Sequence, residues 1–433
     1  MLIFTYLCDY NRPWESDPLW EKIMTMHSPT VQKIRKLLPY ACLAAGFLAI
    51  VHSSNSMAGA TDQAKRIHDR IAGVPPSQAE LADMLAIMDP DNDGVTSAAL
   101  AKEAALAIPL NNKYFYNVTL KQWITPWTNE EQTVFAPLND YTATAIGLIA
   151  SEADFRRVLY DDVLYVGASN LSLPAYSVAN NNHYEALEAL DVSLATALQA
   201  STQSANNGGA LPANATAGIM TTRAAAKAFF VAGTNRAMLR FTLMNHLCND
   251  LEQLKDTTRP PDRIRQDVSR SPGGDSRIFL NNCIGCHSGM DPLAQAYAHY
   301  EWEGKEGEEA GHLTYKAESV EGKYRINDSS FKWGYVTTSD LWTNYWRKGQ
   351  NTWLGWDPAL PGEGNGAKSL GMELANSNQF AECQVTKVFK AVCLREPESV
   401  QDGTQIDTMV TTFKSGYNVK QVFAESAAYC MGD

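Results

Sequence analysis

The sequence predicts a mainly α-helical protein, with an N-terminal helical domain over 61–260 and a second helical domain over 261–433 that closes in a three-helix segment. Three observations carry that expectation. Apolar residues recur at three- and four-residue steps through much of the chain, the period of a helix with one buried face. No run promises a convincing strand ladder, and no internal repeat is visible. One Pro/Gly-rich stretch, 257–275, divides the 433 residues into parts of domain size.

The first element, 1–60, reads as an N-terminal extension and signal peptide. Lys33, Arg35 and Lys36 precede the apolar run Leu37–Val51, and small and polar residues follow up to Ala58-Gly59-Ala60. A basic region, a short apolar core and an A-x-A site form the pattern of a secretory signal. The competing reading is an uncleaved anchor, although the run is too short to cross a bilayer comfortably. Translation is expected to begin at Met24 or Met26, since a signal has no need of Met1–Lys22. Cleavage after Ala60 leaves a periplasmic or otherwise exported chain without a stable membrane anchor. Its six cysteines are Cys248, Cys283, Cys286, Cys383, Cys393 and Cys430. The 48 Asp and Glu outnumber the 36 Lys and Arg, which argues against a nucleic-acid partner.

From Thr61 to about Leu110 the pattern is helical, interrupted by the polar loop Asp89–Gly94. The segment 114–137 is aromatic and irregular, and helical patterning resumes over Thr142–Tyr160. Stretches 168–182 and 201–214 read as loops. Helices are expected over Thr222–Phe230 and Ala237–Leu254, with Gly233-Thr234-Asn235 as a break and N-cap between them. After the linker, three helices are expected near 370–394, 403–415 and 418–430.

The motif with chemistry in it is Cys283-Ile284-Gly285-Cys286-His287. Two thiols at this spacing can each form a thioether to a haem vinyl group, and the adjacent histidine can ligate the iron. Composition alone predicts about three chance occurrences per thousand such chains. A zinc site wants a second Cys/His pair, and the sequence shows no second CxxC or HxxxH. A thioredoxin-type pair expects a strand followed by a helix. The plainest competitor is an ordinary disulfide beside a surface histidine. Export favours one covalent haem c, with Cys283 and Cys286 as anchors and His287 as the proximal iron ligand.

The stretch Asn282-Cys283-Ile284-Gly285-Cys286-His287-Ser288-Gly289-Met290-Asp291-Pro292-Leu293 also resembles the CxxCH-x-x-M-D-P-L core of Planctomycete-type cytochrome-c-like proteins. The likeness extends to Ala217–Arg223, Gly233–Arg240, Phe380–Arg395 and Lys414–Tyr417. It covers half to three quarters of the mature chain, with high specificity only at the haem core. The sequence departs from the family pattern at Ala294-Gln295-Ala296-Tyr297, where Gly-Phe-Ala-Leu-Glu is common. The resemblance implies a cytochrome-c-like haem domain over 261–433 that binds haem and transfers electrons, with no established substrate.

The second iron ligand is open at this level. Candidates include His68, His183, His246, His299 and His312, with Met220, Met238, Met290 and Met372. Met372 follows the motif and opens a helix after a Gly-rich loop, so it is the first choice, weighed against a plain core methionine. His299 lies in an aromatic setting and is the alternative. Met290, three residues past His287, is too close to reach the opposite face.

Three lesser signals complete the reading. Asp89, Asp91, Asp93 and Gly94 open like a calcium loop, but Leu100 stands where a bidentate acid is required, so a helix-capping turn is expected. Tryptophans from Trp333 to Trp356 are expected to wall a haem pocket rather than bind a glycan. Cys383 and Cys393 share a helix about 15 Å apart, beyond disulfide reach. Each must therefore pair elsewhere, and Cys393–Cys430 with Cys248–Cys383 is the expected pairing. The function expected is electron transfer with an unknown redox partner protein. The alternatives are a haem peroxidase or oxidase, or the electron-accepting subunit of a periplasmic dehydrogenase.

Overall fold

In a computed structural model, residues 59–230, 235–305, 309–325 and 331–432 are described. The expected start at Met24 or Met26 and the expected signal up to Ala58 lie outside them, while Gly59 and Ala60, the end of that signal, are described, and Ala60 opens the first helix.

The first helices follow the sequence closely. α1 (Ala60–Ala72) buries Ala64, Ile67 and Ile71 on one face and ends at Gly73, whose φ of 73° is the left-handed C-cap that glycine adopts most readily. α2 (Gln78–Met88) opens with a capping box in which Ser77 and Glu80 satisfy each other's backbone N–H groups. α3 (Ala98–Ala107) is capped by Ser97. Between α2 and α3, the Asp89 carboxylate accepts from the Asp93 and Gly94 N–H groups at 2.9 and 3.0 Å, closing a polar turn, but the cap of α3 expected from it is supplied by Ser97 instead.

The helix expected over Thr142–Tyr160 is α4 (Asp140–Ala150) followed by a separate turn, Arg157–Tyr160. α5 (Asn182–Ala189) follows. At the start of α4, the buried Asp140 carboxylate turns away and caps α6 (Arg223–Phe229), accepting from Arg223 N–H at 2.6 Å and Ala224 N–H at 3.0 Å. α7 (Arg236–Leu247) stops seven residues short of the expected end. Cys248 adopts φ 55°, which no helix continues, and its sulfur is tied to Cys383.

α8 (Ile284–Ala294) carries the CxxCH motif. The first C-terminal helix, expected as one piece, is two: α9 (Gly366–Ala375) and α10 (Asn378–Cys393). The Ser377 hydroxyl accepts from Phe380 N–H at 3.1 Å and starts α10 afresh. α11 (Val400–Lys414) and α12 (Val419–Tyr429) close the fold. α10 packs against α7, α11 and α12, and α12 returns to α3 near the start of the chain.

Short antiparallel ladders, absent from the sequence reading, also occur. β1 (Leu164–Gly167) pairs with β2 (Leu198–Ser201), β3 (Tyr300–Gly304) with β4 (Gly311–Tyr315), and β5 (Leu341–Thr343) with β6 (Glu363–Asn365). Helix dominates, and the fold is mainly α.

Both expected disulfides are present, Cys248–Cys383 and Cys393–Cys430, with Cα separations of 5.3 and 5.4 Å. They fit an exported protein. Among the described residues no helix is long and apolar enough to cross a membrane. One continuous hydrophobic core runs from Ala64 to Ala428 and takes members from both sides of residue 260. The boundary expected there falls inside a single compact unit, Gly59–Gly432.

Candidate haem site

The site is built on one helix and the segment before it. Residues Phe279–Cys283 form a widened π turn that runs into α8 at Ile284, a local irregularity frequent at functional sites. Leu280, Cys283, His287 and Met290 follow at steps of three and four, so they share one face, with Cys286 beside them. That face borders an open cleft of about 350 Å³.

The opposite face of α8 is sealed. Gly289 lies flat against the Trp346 indole, and a Cβ there would overlap the ring. Trp346 is fully buried, so the helix is pinned from behind with its reactive face outward. Across the cleft, the strap after α7 crosses the motif. Asp256 N–H donates to the Gly285 carbonyl at 3.1 Å, and the Cys286 thiol lies 3.5 Å from the Leu251 carbonyl. The Arg240–Asp250 ion pair, at 2.6 Å, borders the same space.

Cys283 and Cys286 are both half-buried and unpaired. Burial pushes the Cys286 thiol up from its ordinary value, helped by the Glu252 carboxylate. A redox-active CxxC needs the reverse, a thiol lowered toward neutral pH. Burial therefore favours the neutral thiol at Cys286.

The His287 Nδ1 atom lies 3.1 Å from Asp291 Oδ1, one helical turn on. Asp291 is fully buried. Arg236 Nε donates to its Oδ1 at 2.7 Å and Nη2 to its Oδ2 at 3.0 Å, and Arg265 N–H reaches Oδ2 at 3.3 Å. Arg236 also forks onto Asp267 at 2.7 and 3.0 Å. Burial by itself would raise the Asp291 carboxyl, but Arg236, Arg265 and His287 outweigh it and hold it well below the carboxylate range. An ionised carboxylate only accepts, so Nδ1 carries the hydrogen of this bond and Nε2 is the ring nitrogen that could ligate a metal.

Two thiols one turn apart and an imidazole with Nε2 uncommitted fit a thioether-linked haem. The apolar Leu280 is exposed on the same face of the helix. The three groups do not make a metal site by themselves. Among the described residues, no cluster of three or more His, Cys, Asp or Glu side chains is placed to hold a metal ion.

The second-ligand candidates lie elsewhere. His299 is buried, with Nδ1 3.6 Å from Asp340 and its ring against Tyr315. Met372 stands partly exposed on α9. Neither lines the cleft, and the thioether that does is Met290. Three of the other candidate histidines have structural partners. His68 Nδ1 meets the Val74 carbonyl at 2.8 Å, His183 accepts from Gly167 N–H at 2.9 Å, and His246 meets the Tyr141 hydroxyl at 3.1 Å. Met220 accepts from the Tyr297 hydroxyl at 3.3 Å within the core. The tryptophans do not wall the cleft: Trp342 and Trp346 are core, while Trp333 and Trp353 are exposed.

Sequence reasoning missed Asp291, Arg236, Arg265 and Asp267 as His287's support. The i, i+4 spacing of His287 and Asp291 was a usable signal; the two arginines and Asp267 arrive from distant positions and left none. No family model, curated protein or solved structure matches the chain.

Proposed function

We propose that the chain is an exported c-type protein that holds one covalent haem on Cys283 and Cys286, ligates its iron through His287 Nε2, and passes single electrons to a partner protein. The observation that carries this is the sorting of the described cysteines. Four are joined in disulfides, and the remaining pair sits one turn apart beside an imidazole whose Nε2 is open.

Each thiol would add across one vinyl double bond, sulfur bonding one carbon and hydrogen the other, so attachment needs reduced thiols and no oxidant. A haem held there supplies one-electron exchange between ferric and ferrous iron. The protein's part is to anchor through two thioethers, orient the imidazole, and seal the back of α8 with Trp346. A second reading, a haem peroxidase or oxidase, is supported by the placement of Met372 and His299 away from the cleft, where neither would ligate a haem held on Cys283 and Cys286.

The test is an absorption spectrum of the full chain, produced with haem-maturation machinery and extracted with acid-acetone. A retained c-type reduced spectrum, lost in Cys283→Ala/Cys286→Ala, supports the reading; colour that extracts or never forms overturns it. Rapid spectral change on adding cyanide selects the open-site reading over electron transfer.

A further inference from the structure

The feature of the site that attachment alone does not require is the buried cluster behind His287. A thioether-anchored haem needs an imidazole nitrogen on iron, and a backbone carbonyl could orient it. Here the orienting group is a carboxylate with no solvent exposure, placed one turn along the same helix and gripped from two other segments.

The cluster pairs both signs of charge, with Arg270 close enough to feel both carboxylates as well. Asp291 and Asp267 carry two negative charges, and Arg236 and Arg265 carry two positive ones. Arg236 spans both carboxylates with a fork to each. Arg265 is fully buried, with its guanidinium 4.6 Å from the Tyr324 ring centroid. These guanidinium groups offset the cost of burying the Asp291 carboxylate. What His287 receives is a fixed anion at hydrogen-bond distance from Nδ1.

We infer that Asp291 is the positioning residue of this site: it locks His287 in the Nδ1–H tautomer, presents Nε2 to the cleft, and strengthens the imidazole as a donor so that ferric iron is favoured over ferrous. This rests on the proposed haem attachment for its last clause, while the tautomer stands on the protein alone. An imidazole whose N–H donates to a carboxylate is a more basic ligand than one bonded to a neutral carbonyl. Such a ligand stabilises the higher charge on the metal, so the site is built for a lower potential than the motif alone would set. Arg236 and Asp267 act one step further back, by keeping the Asp291 carboxylate in place.

The experiment compares wild type, Asp291→Asn and Asp267→Asn as full chains. Asp267→Asn removes the same unit of charge from Arg236 without touching His287. With haem attached, Asp291→Asn is expected to shift the ferric–ferrous equilibrium toward ferrous by at least tenfold, about 59 mV for one electron, and by more than Asp267→Asn does. Equal shifts in the two variants would overturn the inference, because the effect would then be charge alone. Asp291→Glu keeps the charge and displaces the carboxylate by one methylene, and its potential is expected to fall between wild type and Asp291→Asn. An Asp291→Glu potential equal to wild type counts against positioning. Separately, nitrogen-15 NMR of the haem-free wild-type chain reads the His287 tautomer directly. Protonation at Nδ1 supports the lock, and protonation at Nε2 overturns it whether or not haem is ever attached. Failure of attachment with an Nδ1–H signal therefore sinks the proposed function and leaves the positioning role standing.

Discussion

Inside the core, His246 and Lys387 show how burial decides charge. His246 has no solvent exposure, its ring stacks near Phe380, and its Nε2 meets Tyr141. Burial, reinforced by the Lys387 charge, pushes it well below its ordinary value of 6.5. Lys387 is pushed down by burial as well, its ammonium 3.3 Å from the Trp127 ring centroid and donating to the Asn245 carbonyl at 2.7 Å. The sign for His246 follows from linkage. Its folded pKa lies below the unfolded one, so its contribution is fully present above about pH 6.5. As pH falls from there toward the folded value, the unfolded chain takes up a proton that the native chain cannot. Stability should then drop by up to about 1.4 kcal/mol per pH unit. Urea unfolding at pH 7 and pH 5 checks this: His246→Gln is expected to have a shallower pH slope than wild type, and equal slopes would refute the assignment.

Among elements, the break between α9 and α10 turns on one hydroxyl. Ser377 is buried, accepts from Phe380 N–H, and donates to the Leu374 carbonyl at 2.7 Å. Ser377→Ala loses both bonds and is expected to lower stability by about 1 kcal/mol, as N-cap removals do, measured by chemical denaturation. A change near zero would mean that packing of Phe380 alone starts the helix. This break also marks where the sequence was hard to read. The apolar period continues through 370–394, and periodicity does not register a one-residue cap. The disulfide pairing, by contrast, was legible because helix rise is a fixed length, and Cys383 and Cys393 do share α10. The ladders were not legible: β5 and β6 are three residues each, shorter than any window in which alternation stands out. Within the site, the motif was legible in full, since its spacing is local. Arg236 and Asp267 were not, because their roles arise only when α7 and the following segment fold against α8.

For the whole molecule, one core changes what unfolding should look like. Residues on both sides of the 257–275 stretch share it, and Cys248–Cys383 bridges across with a separation of 135 residues. Oxidised protein is therefore expected to unfold in one calorimetric transition, with calorimetric and van't Hoff enthalpies agreeing. Two resolved transitions would show that the halves are separately stable. Cys248→Ser/Cys383→Ser should lower stability by about 2–4 kcal/mol, less any strain relieved.

The uneven burial of the six described cysteines has a consequence for how the protein is made. Each bridge keeps one sulfur in the core, Cys383 with 1% exposure and Cys393 with 6%, whereas Cys283 and Cys286 both face an open cleft. Exchange with an outside reductant depends on access to sulfur. A reductant working in an oxidising compartment would thus reach the motif thiols from solvent while finding each bridge half closed. If haem is attached as proposed, folding first would let the shape of the chain, rather than a separate recognition step for each cysteine, decide which sulfurs end as bridges and which stay available to carbon.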